Sequence, residues 1–229
     1  AFRLVETIPW TRDGGFADLA APLRRMKESQ LRFGRPFRMT ELACELERTR
    51  HALSCDRACS EQGACVRILL DRRGKAEIQT GAPRAKWEGR FLKILISKDR
   101  IDSGNELARH KTDRRGFFDE RLNDARAHGF DEVVFRNERG ELAEGSISNL
   151  LLRKEGIWKT PPLSCGLLPG IQREKALREL HALECVLTLD DLRNADEVRI
   201  GNSVRGSGRV VSAVLEETGE ELRRAGVRN

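Results

Sequence analysis

Residues 110–177 read HKTDRRGFFDERLNDARAHGFDEVVFRNERGELAEGSISNLLLRKEGIWKTPPLSCGLLPGIQREKAL, and the reading of this stretch decides the fold. Lys111 stands among His110, Arg109, Arg114 and Arg115. Neighbouring positive charge disfavours an ammonium, so this lysine is a candidate for Schiff-base chemistry. The other reading of the same residues is a basic helix start on the surface. Further on, Glu141–Asn149 (ELAEGSISN) places the carboxylate of Glu144 before glycine, small polar residues and an apolar strand. Glu144 could pair with a protonated ring nitrogen, or be an exposed turn carboxylate. In Gly166–Arg173 (GLLPGIQR), a Pro-Gly turn opens a helix, whose first N–H groups and dipole suit a phosphate. An ordinary loop-to-helix joint reads the same way. Beyond the stretch, Gly201–Gly206 (GNSVRG) follows an expected strand and could wrap an anion with backbone N–H groups, or be a polar turn.

Working outward, the pattern predicts a strand over 2–10 and an amphipathic helix over 17–33, with Leu19, Leu23 and Met26 on one face. A second helix runs from Thr40, its expected cap, to about Leu53. A hairpin pairs 66–70 with 75–79, and a strand covers 90–97. Residues 98–106 read as polar linker. The expected division is an α+β lobe over 1–100, a linker over 101–109, and an α/β lobe over 110–229. In the second lobe a helix is expected over 113–128 and another over 171–182. Strands are expected at 132–136, 149–153, 157–159, 185–189, 197–200 and 209–215. Two lobes suggest a site in the cleft between them.

Bulk composition narrows the function classes. The chain has 229 residues and 39% hydrophobic content, enough for one generous or two small cores. The formal charge of +6 comes from 42 basic and 36 acidic residues interspersed along the chain. That is a solvated surface rather than a nucleic-acid footprint, and it would favour anionic small substrates. No apolar run approaches membrane-spanning length, and AFRLVETIPW lacks the pattern of a secretory signal. Six scattered cysteines fit no disulfide framework, which is the default of a reducing cytoplasm. Cys55, Cys59 and Cys65 cluster without paired zinc-ligand spacing, so no metal is expected.

Taken in order, these segments resemble the class IV, fold type IV aminotransferase family, over roughly Phe2 to Leu215. FRLVETIPW, AAPLRRMKESQLRFG and EVRIGNSVRG resemble most closely the aminodeoxychorismate lyase branch. The resemblance implies a two-lobed D-amino-acid-aminotransferase-like fold of mixed α+β and α/β character, with pyridoxal 5'-phosphate as cofactor. It implies that Lys111 holds the cofactor and later moves the proton. Arg25, the backbone of Ile171 and Gln172, and Asn202 with Ser203 would bind the phosphate. Glu144 would pair with the pyridine nitrogen, and Arg115 would lie near the phenolic oxygen. Thr7 would favour elimination over transamination, and Arg205 would meet a substrate carboxylate. A homodimer is also implied, beside the cytoplasmic location that the cysteines suggest. Phe118 stands where the family often has tyrosine, Pro22 where it often has histidine, and Asp113 where it has a second threonine. The expected activity is conversion of 4-amino-4-deoxychorismate to 4-aminobenzoate and pyruvate. The alternatives are an aminotransferase of branched-chain or D-amino acids and a non-catalytic member of the fold.

Overall fold

A computed structural model describes residues 1–224. The chain forms two compact units: Ala1–Ala85 with His110–Arg114, and Lys86–Arg109 with the residues from Arg115 onward.

The first unit comprises β1 (Leu4–Thr11), β2 (Gly15–Phe16), α1 (Ala20–Arg32), α2 (Met39–Cys55), α3 (Arg57–Gln62), β3 (Ala64–Leu70) and β4 (Ala76–Gly81). Its sheet runs β2-β1-β3-β4, antiparallel throughout. In β1, Leu4 and Ile8 alternate in phase and pack against Leu23 and Met26 of α1 and Leu42 and Leu46 of α2. α1 starts three residues later than its periodicity predicts, because Asp18 turns the chain with a φ of 45°. Thr40 does not cap α2. Arg38 is at that position and Thr40 lies inside the first turn.

The second unit comprises β5 (Phe91–Ile101), α4 (Gly116–Ala127), β6 (Glu132–Asn137), β7 (Leu142–Gly145), β8 (Asn149–Lys154), β9 (Ile157–Thr160), α5 (Ile171–Glu179), β10 (Leu183–Glu184), α6 (Leu189–Arg193), β11 (Glu197–Asn202), β12 (Gly206–Leu215) and β13 (Glu221–Arg224). Their order is β10-β9-β8-β11-β12-β5-β6-β7, with β13 beside β12. β7 also pairs with β8 through Glu144 and Asn149, so β8, β11, β12, β5, β6 and β7 form a closed circuit. β5 is parallel to both of its neighbours, and β6 is buried along its whole length. Such a strand carries apolar residues on both faces. Val134 joins Ile94, Leu150, Ile200 and Val210 in one core, while Val133 and Phe135 join Leu122 and Ala125 of α4 in another.

The division of the chain differs from the expected 1–100, 101–109 and 110–229. β5 belongs to the second unit because it is a central strand between β6 and β12, and it extends to Ile101, into the start of the expected polar linker. Residues 110–114 belong to the first unit because they are hydrogen-bonded along β1. The helix expected from Asp113 begins only at Gly116 for the same reason.

The turn between β6 and β7 is held by charge. Glu138 accepts from the Ser103 N–H (2.9 Å) and hydroxyl (2.7 Å), which bring its carboxyl down to about 2. Glu141 is brought to about 2 by Arg139 and then Asn137. Both native values lie below the ordinary 4.5, so their stabilisation is present above pH 4.5 and is lost as pH falls toward about 2. Thermal melts of Glu141→Gln are expected to depend less on pH than wild-type melts across that window. Parallel curves for the two proteins would contradict the assignment.

Candidate functional site

In the first unit the segment around Lys111 runs alongside β1. The Val5 N–H donates to the Lys111 carbonyl (2.8 Å), and the Asp113 N–H donates to the Arg3 carbonyl (3.0 Å). Leu4 and Thr112 form an antiparallel bridge, and the Arg3 guanidinium closes the far end on Asp113 (2.9 Å). Asp113, which departs from the family's threonine, thus works as the anchor of this segment. The Lys111 amine then lies 3.5 Å from Oε2 of Glu6. Glu6 is buried on β1, and it accepts from Nε (2.8 Å) and Nη2 (2.9 Å) of Arg25 on α1. Lys111 keeps about a fifth of its side chain exposed (22%), whereas Glu6 keeps 1%. Thr7 is half-buried, two residues along β1 from the Val5 amide. Next door, the Ser29 hydroxyl of α1 contacts Nδ1 of His110 (2.8 Å), whose ring also packs edge-on against Phe33. The structure therefore brings Lys111 and Arg25 together on Glu6, which the sequence reading missed, while Thr7 follows Glu6 in β1 and falls out of phase with it.

In the second unit Glu144 sits at the strand pair that closes the circuit. It is buried, and its Oε2 accepts from the Leu168 N–H (3.1 Å). The loop after it, 145–148, is fastened from three directions. Arg115 donates to the Ser146 carbonyl (2.6 Å), and Asn202 donates to the Ile147 carbonyl (2.9 Å). From beneath, Glu132 of β6 accepts from the Ser146 hydroxyl, the Ser148 hydroxyl (2.8 Å) and the N–H groups of Ile147 (3.2 Å) and Val133 (2.9 Å). Complete burial pushes the Glu132 carboxyl up, and these four donors only partly offset that.

Ile171 and Gln172 are the first two residues of α5. Gly170 precedes them without a side-chain cap, so their N–H groups have no acceptor within the helix. Gly170 is required there: a Cβ would collide with the side-chain amide of Asn149, which itself donates to the Leu168 carbonyl (3.2 Å). Gly201 has the same function beside Gln172, whose Cγ would be 3.0 Å from an added Cβ. Asn202 ends β11, and its Oδ1 accepts from the N–H groups of Val204 (2.9 Å) and Arg205 (2.8 Å), which shapes the turn carrying Ser203. The side chain of Asn202 thus builds the turn. Arg205 is half-buried, with its guanidinium 5.5 Å from the centre of the Trp87 ring. Arg115 sits beside the Glu144 loop, its Nε 3.3 Å from Asp119.

Taken unit by unit, the first holds an amine and a guanidinium on a buried carboxylate, and the second holds a buried carboxylate and an uncapped helix start behind a glycine, a start of the kind that suits a phosphate. No group of three His, Cys, Asp or Glu side chains among the described residues is arranged to hold a metal.

The fold and these residues define a class, and the comparisons name it. Residues 3–213 match the model of the amino-transferase class IV family, and the chain belongs to that family. A solved Mesorhizobium loti protein, provisionally named an amino-acid aminotransferase, superposes with a TM-score of 0.82 at 32% identity, covering 94% of this chain and 100% of that one. A Schizosaccharomyces pombe protein provisionally named an aminodeoxychorismate lyase is 27% identical over 164 residues, which are 69% of this chain and 71% of that one. The branched-chain-amino-acid aminotransferase of Escherichia coli K12 is 39% identical over 80 residues, only 26% of its length.

Two substitutions test the second-unit geometry. Glu132→Gln places an NH2 group against hydroxyl and amide donors, and should cost roughly 1–3 kcal/mol in chemical denaturation. Gly170→Ala should cost a similar roughly 1–3 kcal/mol through overpacking against Asn149. Wild-type unfolding midpoints in both would contradict the arrangement described.

Proposed function

We propose that this chain is a pyridoxal 5'-phosphate-dependent lyase that converts 4-amino-4-deoxychorismate into 4-aminobenzoate and pyruvate. The observation that carries the reading is the Lys111 amine, its segment paired along β1, beside Glu6 and through it Arg25. The similarity to the S. pombe protein over most of both chains supports the lyase branch.

When bound, the cofactor supplies an electron sink joined to the substrate's amino nitrogen. The residues of the chain do the rest. Lys111 would hold the cofactor and, once displaced by the substrate amine, take the proton from ring carbon C4. Its ammonium then returns that proton to the departing three-carbon unit, which leaves as pyruvate. Substrate and products balance without a second reactant, and the aromatic ring formed makes the elimination favourable. Arg25 and the N–H groups of Ile171 and Gln172 would hold the phosphate, with the turn of Asn202 and Ser203 completing its cup. Glu144 would keep the ring nitrogen protonated. Arg115 would approach the phenolic oxygen, Thr7 would steer toward elimination, and Arg205 would meet a substrate carboxylate.

The second reading is an aminotransferase, favoured by the M. loti neighbour and by the 80-residue match to the branched-chain enzyme. We take the working form to be a cytoplasmic homodimer. Among the described residues no helix is long and apolar enough to cross a membrane.

Protein loaded with pyridoxal 5'-phosphate should release pyruvate and 4-aminobenzoate in equal amounts from aminodeoxychorismate. Thr7→Ala should lower that rate by about tenfold, on the scale of one lost transition-state hydrogen bond. Amino transfer from an amino acid to a keto acid, with no pyruvate from aminodeoxychorismate, would replace the lyase reading by the second one.

A further inference from the structure

Glu6 has no duty in the chemistry set out above, yet it is the most buried charged group in the first unit's site, with 1% of its side chain exposed. It occupies β1 between Leu4 and Ile8, the two residues that pack against α1 and α2. A carboxylate there is strongly disfavoured unless it is paired and hydrogen-bonded. Arg25 answers that demand with two bonds, Nε to Oε1 (2.8 Å) and Nη2 to Oε2 (2.9 Å). Lys111 comes to the same Oε2, at 3.5 Å.

The arrangement matters for Lys111. A lysine amine on a flexible four-carbon stem can take many rotamers, and a fixed acceptor narrows that freedom. An adjacent carboxylate also favours the ammonium form. The other charged groups brought by neighbouring elements do not replace Glu6. On α1, Arg24 and Glu28 are exposed and lie 4.0 Å from each other. On the segment of Lys111, Asp113 is engaged by Arg3, and His110 meets Ser29. On β3, Arg67 pairs in register with Thr7 and is exposed.

We infer that Glu6 is the positioning residue of Lys111: before the cofactor is loaded it holds the amine against Oε2 and ties it to Arg25 in one buried charge cluster. The inference deepens the reading of Lys111 as the cofactor lysine. Its consequence is that the location of the reactive amine in the unloaded chain is set from β1.

The test is trace acylation of the full chain with acetic anhydride at pH 8, without added cofactor, reading the rate at each lysine by mass spectrometry. In Glu6→Gln, Lys111 should be acylated about tenfold faster than in wild type, as expected when a carboxylate at this range is removed. Lys27 and Lys98, both exposed, should be unchanged and serve as references. Equal Lys111 rates in the two proteins would overturn the inference. Glu6→Asp keeps the charge that Arg25 needs but withdraws it by one methylene. If Glu6→Gln does not fold, a several-fold faster Lys111 rate in Glu6→Asp supports the inference, and a wild-type rate overturns it. A parallel titration of wild type with pyridoxal 5'-phosphate separates the two claims. Failure to develop a visible band would overturn the cofactor reading, while the acylation rates would still decide the role of Glu6.

Discussion

The short run of backbone hydrogen bonds between Arg3–Val5 and Lys111–Asp113 is the constraint on which the site of the first unit depends. The chain leaves that unit after Ala85, builds β5 in the other, and returns for only five residues, His110–Arg114. Those five have no helix of their own to hold them. They are fixed because β1 offers them N–H and C=O partners and because Arg3 clamps Asp113. Lys111 is therefore placed by strand pairing. The residues that meet it, Glu6 and Arg25, come from elements already locked by the Leu4, Ile8, Leu23 and Met26 core.

The second unit reaches its site by a different route. Its closed circuit of strands ends where β7 meets β8, and Glu144 is half of that closing pair. A carboxylate at such a point is positioned by the whole circuit. The loop that follows it is fixed by a second buried carboxylate, Glu132, which gathers four donors. A fully buried group of this kind is strongly destabilising unless satisfied, so it specifies one loop conformation as firmly as an apolar contact would. The glycines at 170 and 201 complete the arrangement, letting a helix start and a strand end approach Asn149 and Gln172 closely.

Much of this was legible in the sequence. The strand at β1, the helix α1, the β3–β4 hairpin and the helix opened by Pro169-Gly170 follow from periodicity and turn residues. The ordered segments around Lys111, Glu144 and Gly201–Gly206 were sufficient to identify the family. What escaped was what depends on tertiary pairing. β5 runs past its apolar part to Ile101 because its neighbours extend it, and no local pattern in Lys98–Arg100 signals that. The sequence places cations next to Lys111, but the structure brings a carboxylate 105 residues away to its amine. A signal for Glu6 did exist: a charge in phase with Leu4 and Ile8 on the buried face of a strand requires an opposite charge from the element that covers it. Glu132 carried a similar signal inside the apolar run of β6. The strand expected at 185–189 is not formed: Thr188 and Asp191 make a capping box there that starts α6.

The proposed chemistry turns on Lys111 being the residue that holds pyridoxal 5'-phosphate. The direct measurement is borohydride reduction of the cofactor-loaded protein, followed by peptide mapping of the reduced label. One stoichiometric pyridoxyl group is expected on the peptide containing Lys111. A label on any other lysine, or spread over exposed lysines without preference, would contradict it.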